Sequence, residues 1–353
     1  MKILSITLLV LGWLMIVAIA LPFVKNDYWI FRVLEYPRLQ KFIVAVLLLL
    51  GLILLVKLQS ATAIVPTVLL GLGVLYLGYK IVPYTIIASK EMKAVASTQQ
   101  QDQLRIFTAN VYQYNDQHEK VLQQIQQENP DIILLLETDS IWANAMESLR
   151  KDYPNTLLEP LSNTYGMLFY SRLDMTEGEI KYLVENDVPS LEATIRLPSG
   201  KLVKAFGLHP KPPVPTEDTH STAKDKEIMK IAFKAKKEKL PVIVMGDLND
   251  VAWSHVTELF RKTSGLLDPR RGRGFYSTFS AKHWYMRFPL DYVFCSSHFG
   301  LVELKRLNHN GSDHFAMISS FQLQPELKKQ QEEPKADKEE IEEASEKAKQ
   351  PVK

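Results

Sequence analysis

Cysteine is nearly absent. Cys295 is the single one in 353 residues, so neither an intrachain disulfide nor a thiolate metal cage can form. Set in the apolar run YVFCSS, it reads as a small core residue rather than a nucleophile. Net charge is also scarce: 42 Lys and Arg against 40 Asp and Glu leave +2. That average hides an asymmetry, because residues 1–89 are mostly apolar and the last stretch is mostly Lys, Glu and Gln. No Asp or Glu interrupts the apolar runs Ile3–Val24, Phe42–Val56 and Leu58–Tyr79, which leaves solute transport unsupported. No internal repeat is present.

Those three runs define a membrane anchor over residues 1–89. At about 1.5 Å rise per residue, the first and third each reach roughly 33 Å, enough for a hydrocarbon core of about 30 Å. The middle run is shorter. Lys41 and Lys57 bound it and are expected to snorkel, completing a three-helix anchor. The first run is too long for the apolar core of a signal peptide, and more spans follow it. Trp13, Tyr28, Trp29, Tyr36, Tyr76 and Tyr79 stand where interfacial rings are favoured. The expected location is therefore the cell (inner) membrane, multi-pass. Lys25, Arg32, Arg38 and Lys41 crowd the first loop against Lys2 and Lys57 opposite, which favours a cytoplasmic side for the rest of the chain only weakly; the side is left open.

Residues 90–103 read as a polar linker. From Leu104 short apolar runs alternate with helical patterns: LRIFTANV, DIILLLE, YGMLFYS, LEATIRL, KLVKAFGLH, PVIVMGDLN, LDYVFCS, LVELKRL and FAMISSFQL as strands, with helices near 116–128 and 220–239. This predicts an α/β domain over 104–323 with two packed sheets covered by helices. Residues 324–353, with hardly any large apolar side chain, read as a charged and disordered tail.

Polar groups interrupt the apolar runs at their ends. Asn110 closes the first strand and Glu137 follows LLL. His209 ends AFGLH, Asp247 and Asn249 follow VIVMG, Asp291 begins DYVFCS, and Asp313 and His314 precede FAMI. Each has a plain structural reading alone: a turn bond for Asn110, a helix cap for Glu137, Asx bonds in Gly-Asp-Leu-Asn, a loop histidine, an Asp291–Arg287 ion pair, a simple turn at Ser312–His314. Their joint occurrence in one order points to a shared cleft.

The series TANV, LLLET, GLHPKPP, GDLND, PLDYVF and SDH resembles the endonuclease/exonuclease/phosphatase superfamily, with a DNase-I-like fold, over residues 104–322. The preceding three helices are similar to its bacterial membrane-bound branch. The resemblance implies a four-layered αββα sandwich and metal-dependent cleavage of phosphodiesters or phosphomonoesters. It implies Asn110, Glu137 and Asp313 at a Mg²⁺ site, with Mn²⁺ as an alternative; hard oxygen donors suit such ions. Asp247 would orient or deprotonate water, Asn249 bind phosphate oxygen, and His314, held by Asp291, stabilise the transition state. His209 would donate to a non-bridging oxygen.

One departure concerns phosphate gripping. Members commonly carry an Arg-Asp pair opening the helix after the histidine motif; here Lys224-Asp225 stands there, and lysine lacks the bidentate fork. The segment DPRRGRGFYSTFSAKHWYMRFP carries the expected substrate contacts, among them Arg271, Arg273 and Trp284, with a basic surface loop as the plain alternative. The expected partners are the bilayer and a phosphate ester: a lipid headgroup, a nucleotide or nucleic acid. An endo/exonuclease using the same centre and a catalytically inactive membrane adaptor are the competing readings.

Overall fold

The computed structural model describes residues 2–97 and 99–352. Three long helices lead: α1 (Lys2–Ala20), then the single turn α2 (Trp29–Arg32), α3 (Arg38–Leu55) and α4 (Ala61–Ile81). By length and composition α1, α3 and α4 could each cross a membrane. Their bundle is sealed by Ala45, Leu52, Leu70 and Leu77, while Leu54 and Leu75 point outward at 76% and 71% exposure. Apolar side chains outside as well as inside are what a lipid-facing bundle requires. Small residues allow close approach: a Cβ added at Gly73 would lie 2.9 Å from Ile19.

The middle helix is longer than the apolar run, because it starts at Arg38 after Pro37. Lys41 does not snorkel to water. It is buried, and its Nζ donates to Ala18 O at 2.9 Å, satisfying a carbonyl in the last turn of α1. Arg38 pairs with Glu35 at 2.7 Å and donates to Trp253 O. Of the basic residues of the first loop, Arg38 is thus held against the following domain and Lys41 against α1.

The strands are β1 (Gln103–Asn110), β2 (Ile132–Leu136), β3 (Asn155–Glu159), β4 (Met167–Ser171), β5 (Asp174–Lys181), β6 (Ser190–Arg196), β7 (Leu202–Leu208), β8 (Val242–Asp247), β9 (Asp291–Cys295), β10 (Phe299–Arg306) and β11 (Met317–Leu323). They form a six-stranded sheet in the order β10-β11-β1-β2-β4-β3 and a five-stranded sheet in the order β5-β6-β7-β8-β9. Leu134, Phe169, Ile243 and Phe321 are among the side chains filling the layer between them. The helices are α5 (His118–Glu128), α6 (Ser140–Ala145), α7 (Thr222–Lys237), α8 (His255–Ser264) and α9 (Lys338–Lys349). The core groups place α5 and α6 over the first sheet and α7, α8 and α9 over the second, a two-sheet α/β sandwich of the DNase-I-like kind. The edge strands β3 and β5 are half-buried or exposed with little apolar pattern, which is why the sequence reading passed over them.

Two expectations are corrected. The expected disordered tail, 324–353, is ordered over its described residues 324–352. Asp337 and Glu340 form a reciprocal capping box at the start of α9. The helix docks by Lys347–Asp225 at 2.8 Å, His255–Glu343 at 2.6 Å and Lys262–Glu340 at 2.5 Å, with Ala344 wholly buried. Charge complementarity supplies what low hydrophobicity could not. Likewise the linker is packed: Met92 is buried, and Val95 N donates to Leu301 O at 2.9 Å.

Candidate active site

Strand polarity explains why distant residues meet. β1 and β2 run parallel with Asn110 opposite Leu136, so Asn110 and the next residue, Glu137, emerge at one rim. In the second sheet β7 and β8 are also parallel, bringing His209 and Asp247 to that same rim. β9 runs back antiparallel with Asp291 opposite Asp247. β11 pairs antiparallel with β1, so the segment before it, holding Asp313 and His314, returns there too. The carboxyl ends of the parallel pairs thus define the cleft.

Asn110 Nδ2 joins the two sheets, donating to Glu137 Oε1 at 2.7 Å and Asp247 Oδ2 at 3.2 Å. Ser312 Oγ donates to Asn110 O at 2.8 Å and accepts from His314 N at 3.0 Å, tying the last loop to the first strand. His314 Nδ1 lies 2.8 Å from Asp291 Oδ2, and its Nε2 lies 3.6 Å from Asp247 Oδ2. The alternative Asp291–Arg287 ion pair does not form. Glu137 and Asn249 hold φ of +58° and +47°, a left-handed conformation costing about 1 kcal/mol each for such residues.

Burial and proximity set the charges. Burial and the neighbouring Asp291 push Asp247 up to about 7, against the pull of His314. Burial opposes charging of His314, but Asp291 and Asp247 overcome it and raise the imidazole to about 10. His209 goes the other way. Burial and the His314 charge lower it to about 3, so it is neutral. Its Nδ1 is buried without a hydrogen-bond partner, and its ring packs 5.2 Å from that of Tyr165. Burial also raises Glu137, even with Asn110 donating to it. Asp313 Oδ1 is buried and unpartnered. Asp247, Asp291 and His314 bring ligand atoms within 4.8 Å of one another, a group that could hold a metal ion.

Asn110, Glu137, His209, Asp247, Asn249, Asp291, Asp313 and His314 thus all lie at the rim. Asn249 Nδ2 donates to Pro210 O at 3.0 Å, so one amide hydrogen is already engaged. The expected substrate contacts scatter. Lys224 is buried and ion-paired to Asp250, with Asp225 at 3.8 Å, so its charge is neutralised inside the fold. Arg271 lies over Tyr84 and within 3.6 Å of Glu91 and of Glu258, on the side of the former linker. Arg273 donates to Pro269 O and Met92 O and, with Trp284, lines a groove beside α3. Sequence reading missed Tyr36, whose hydroxyl donates to Asn249 O at 2.6 Å from the anchor's first loop. It also missed Thr278, whose Oγ1 accepts from Asp291 N at 3.2 Å. Neither sits in a motif, and no local signal marks a contact across that span of chain.

The model of the Endonuclease/Exonuclease/phosphatase family matches residues 107–314, and the chain belongs to that family. It is a family of phosphoesterases and nucleases, so hydrolysis of phosphate esters is the general chemistry. No curated protein sequence matches. Among solved structures, an endonuclease/exonuclease/phosphatase from Beutenbergia cavernae is similar at 16% identity and a TM-score of 0.51, covering 63% of this chain and 72% of that one. The human Nocturnin catalytic domain, with bound sulfate, is similar at 16% identity and a TM-score of 0.52, covering 66% and 97%. D. rerio TDP2 complexed with a single-strand DNA product gives 17% and 0.50, covering 62% and 98%. At such identities these likenesses speak to the fold.

Proposed function

We propose that the chain is a membrane-anchored, Mg²⁺-dependent phosphoesterase that cleaves a phosphodiester or phosphomonoester by in-line attack of water. The observation that carries this reading is the buried network running from Glu137 through Asn110 and Asp247 to His314 and Asp291. Burying so many polar groups at one rim is costly for a domain that only needs to fold.

Asp247, with a midpoint near neutrality, orients the attacking water and accepts its proton. His314, held as an imidazolium by Asp291, donates to the phosphoryl oxygens where charge accumulates. His209, neutral, offers an N–H to a second non-bridging oxygen, and Asn249 keeps one amide hydrogen for the same task. A divalent cation fits the opposite end of the network. Burial and, more weakly, Asp313 raise the Glu137 pKa, and Asp313 Oδ1 is orphaned, so these two carboxylates offer oxygen donors; Asn110, whose Oδ1 accepts from Tyr112 N at 3.1 Å, would join them only by turning its amide. The Asp247–Asp291–His314 group is less suited, because the imidazolium already sits between the two carboxylates and offsets one of their charges. When bound, the cation would act as a Lewis acid on phosphate oxygens.

Three crossings by α1, α3 and α4 would place the first loop and the domain on one side of the cell membrane. The bond from Tyr36 to Asn249 agrees with that arrangement. The test is hydrolysis by the full chain in detergent, with Mg²⁺ or Mn²⁺, of DNA, RNA, phospholipids and sugar phosphates. Activity abolished by chelator and by Glu137→Ala is expected. Near wild-type turnover by Asp247→Ala would defeat the assignment, since losing such a group costs about a hundredfold or more.

A further inference from the structure

An open groove of about 770 Å³ lies where the start of α3 meets the loop 273–287. One wall is apolar: Leu39 and Ile43 continue into the outward face of α3, where Ile43 is 52% and Leu47 63% exposed. The other wall is cationic, with Arg273, Arg287 and Arg306. Among the described residues, none of these three has a carboxylate within ion-pair distance. Arg273 is occupied by two backbone carbonyls, and the other two are less engaged. Arg306 makes one bond, to Ser277 O at 2.7 Å, and Arg287 Nε is buried without a partner.

Arg287 and Arg306 share one aromatic ring, their guanidinium carbons 5.2 and 4.3 Å from the centroid of Phe315. Two like charges held this close without a counter-ion repel, and burial together with Arg287 lowers the pKa of Arg306. An anion placed between them would relieve that repulsion and gain charge-assisted hydrogen bonds. Gln40 ties the loop to α3, donating to Tyr285 O at 2.9 Å, while its Oε1 stays buried and unpartnered. At the rim Trp284, Tyr285 and Met286 are 79%, 56% and 43% exposed, an amphipathic cluster of the kind favoured at headgroup depth.

We propose that this groove binds an anionic glycerophospholipid, its phosphate against Arg287 and Arg306 and an acyl chain along Leu39 and Ile43. Gln40 Oε1 then accepts from a headgroup hydroxyl. The charge on one wall selects the phosphate, and the apolar wall, continuous with a membrane-spanning face, selects a lipid over a soluble anion. The assignment rests on α3 lying in a bilayer. The reacting centre is close by: Phe315 follows His314, and the Phe279 ring lies 5.0 Å from His314.

The test is native mass spectrometry of the full chain in detergent, offered phosphatidylglycerol or phosphatidylcholine. Wild-type protein is expected to retain phosphatidylglycerol preferentially. The double variant Arg287→Gln/Arg306→Gln should weaken that retention about thirtyfold, roughly fivefold per arginine near a membrane surface. Phosphatidylcholine retention should not change. Equal retention of the two lipids by wild-type protein overturns the proposal without any variant. So does displacement of phosphatidylglycerol by an equal concentration of glycerol 3-phosphate, which would mark a plain anion site. Release of the chain from membranes by an alkaline wash would instead overturn the bilayer reading; a chain that stays bound but lacks the preference sinks the lipid site alone.

Discussion

The substitution Asp291→Asn keeps the shape of the centre and removes one charge, because an amide oxygen can still accept from His314 Nδ1. On the proposed mechanism, turnover needs Asp247 ionised and His314 protonated, which puts the expected active range between about 7 and about 10. Without the Asp291 charge, His314 keeps Asp247, 3.6 Å away, and the weaker pull of Asp313, against the burial that opposes its charging. Return of the imidazole to its ordinary value of 6.5 corresponds to about 5 kcal/mol at ~1.36 kcal/mol per unit. At about pH 8.5 the protonated fraction would then drop from nearly all to about one part in a hundred, a hundredfold loss of turnover. Asp247 is relieved of a like charge and also titrates lower, so both limbs of the profile move to acid. Stability follows with the same sign. The raised His314 contributes stability fully present below 6.5 and lost as pH rises through about 10, and the variant should lose that contribution at lower pH. The assays are pH–rate profiles of bis(p-nitrophenyl) phosphate hydrolysis and thermal midpoints against pH. A uniform loss at every pH, or an alkaline limb superimposable on wild type, would refute the electrostatic role.

Glu137→Gln should raise the Mg²⁺ concentration giving half-maximal activity by at least about tenfold, since even outer-shell partners of a metal are worth that much; a titration of rate against metal reads it. Lys224→Met should leave Asp250 buried without its cation and destabilise the fold by about 3–5 kcal/mol, with KM of the surviving folded protein unchanged. A raised KM at unchanged thermal midpoint would instead restore Lys224 to the substrate site. Gly246→Ala should lower the thermal midpoint sharply: φ there is +135° and the added Cβ would lie 2.0 Å from Leu208 O, a conflict worth about 3 kcal/mol or more. Tyr36→Phe should cost about 1 kcal/mol of loop order, seen as a severalfold lower kcat with KM little changed.

The rim residues were legible because each lies at or just beyond one terminus of a strand. A run such as VIVMG fixes a buried strand, and the first polar residue after it must face the cleft or solvent. Parallel pairing of β1 with β2 and of β7 with β8 then converts sequence position into common location. Lys224 and Arg271 were misjudged for the converse reason. A basic side chain in a helix or loop carries no mark of which carboxylate will claim it, and Asp250 and Glu91 are distant in sequence. The tail was misjudged because its low hydrophobicity speaks to self-association of apolar surface, whereas α9 docks through lysine–carboxylate and histidine–carboxylate pairs.

The anchor was the least legible part, and its contacts alter what the domain needs. Read as a sequence, residues 1–89 only hold the enzyme to a surface. In the fold, Tyr36 bonds to Asn249 O, Trp253 Nε1 donates to Glu35 O at 2.9 Å, and Tyr84 bonds to Ala252 O. The loop following Asp247 therefore rests on the N-terminal segment at Asn249, Ala252 and Trp253. A domain cut free at the linker keeps every motif residue yet loses the groups that hold Asn249 in its left-handed conformation. The burial that raises Asp247 also weakens, since Tyr36 is one of the walls beside it. On the proposed reading, membrane attachment and the order of the loop after Asp247 are thus two consequences of one packed interface.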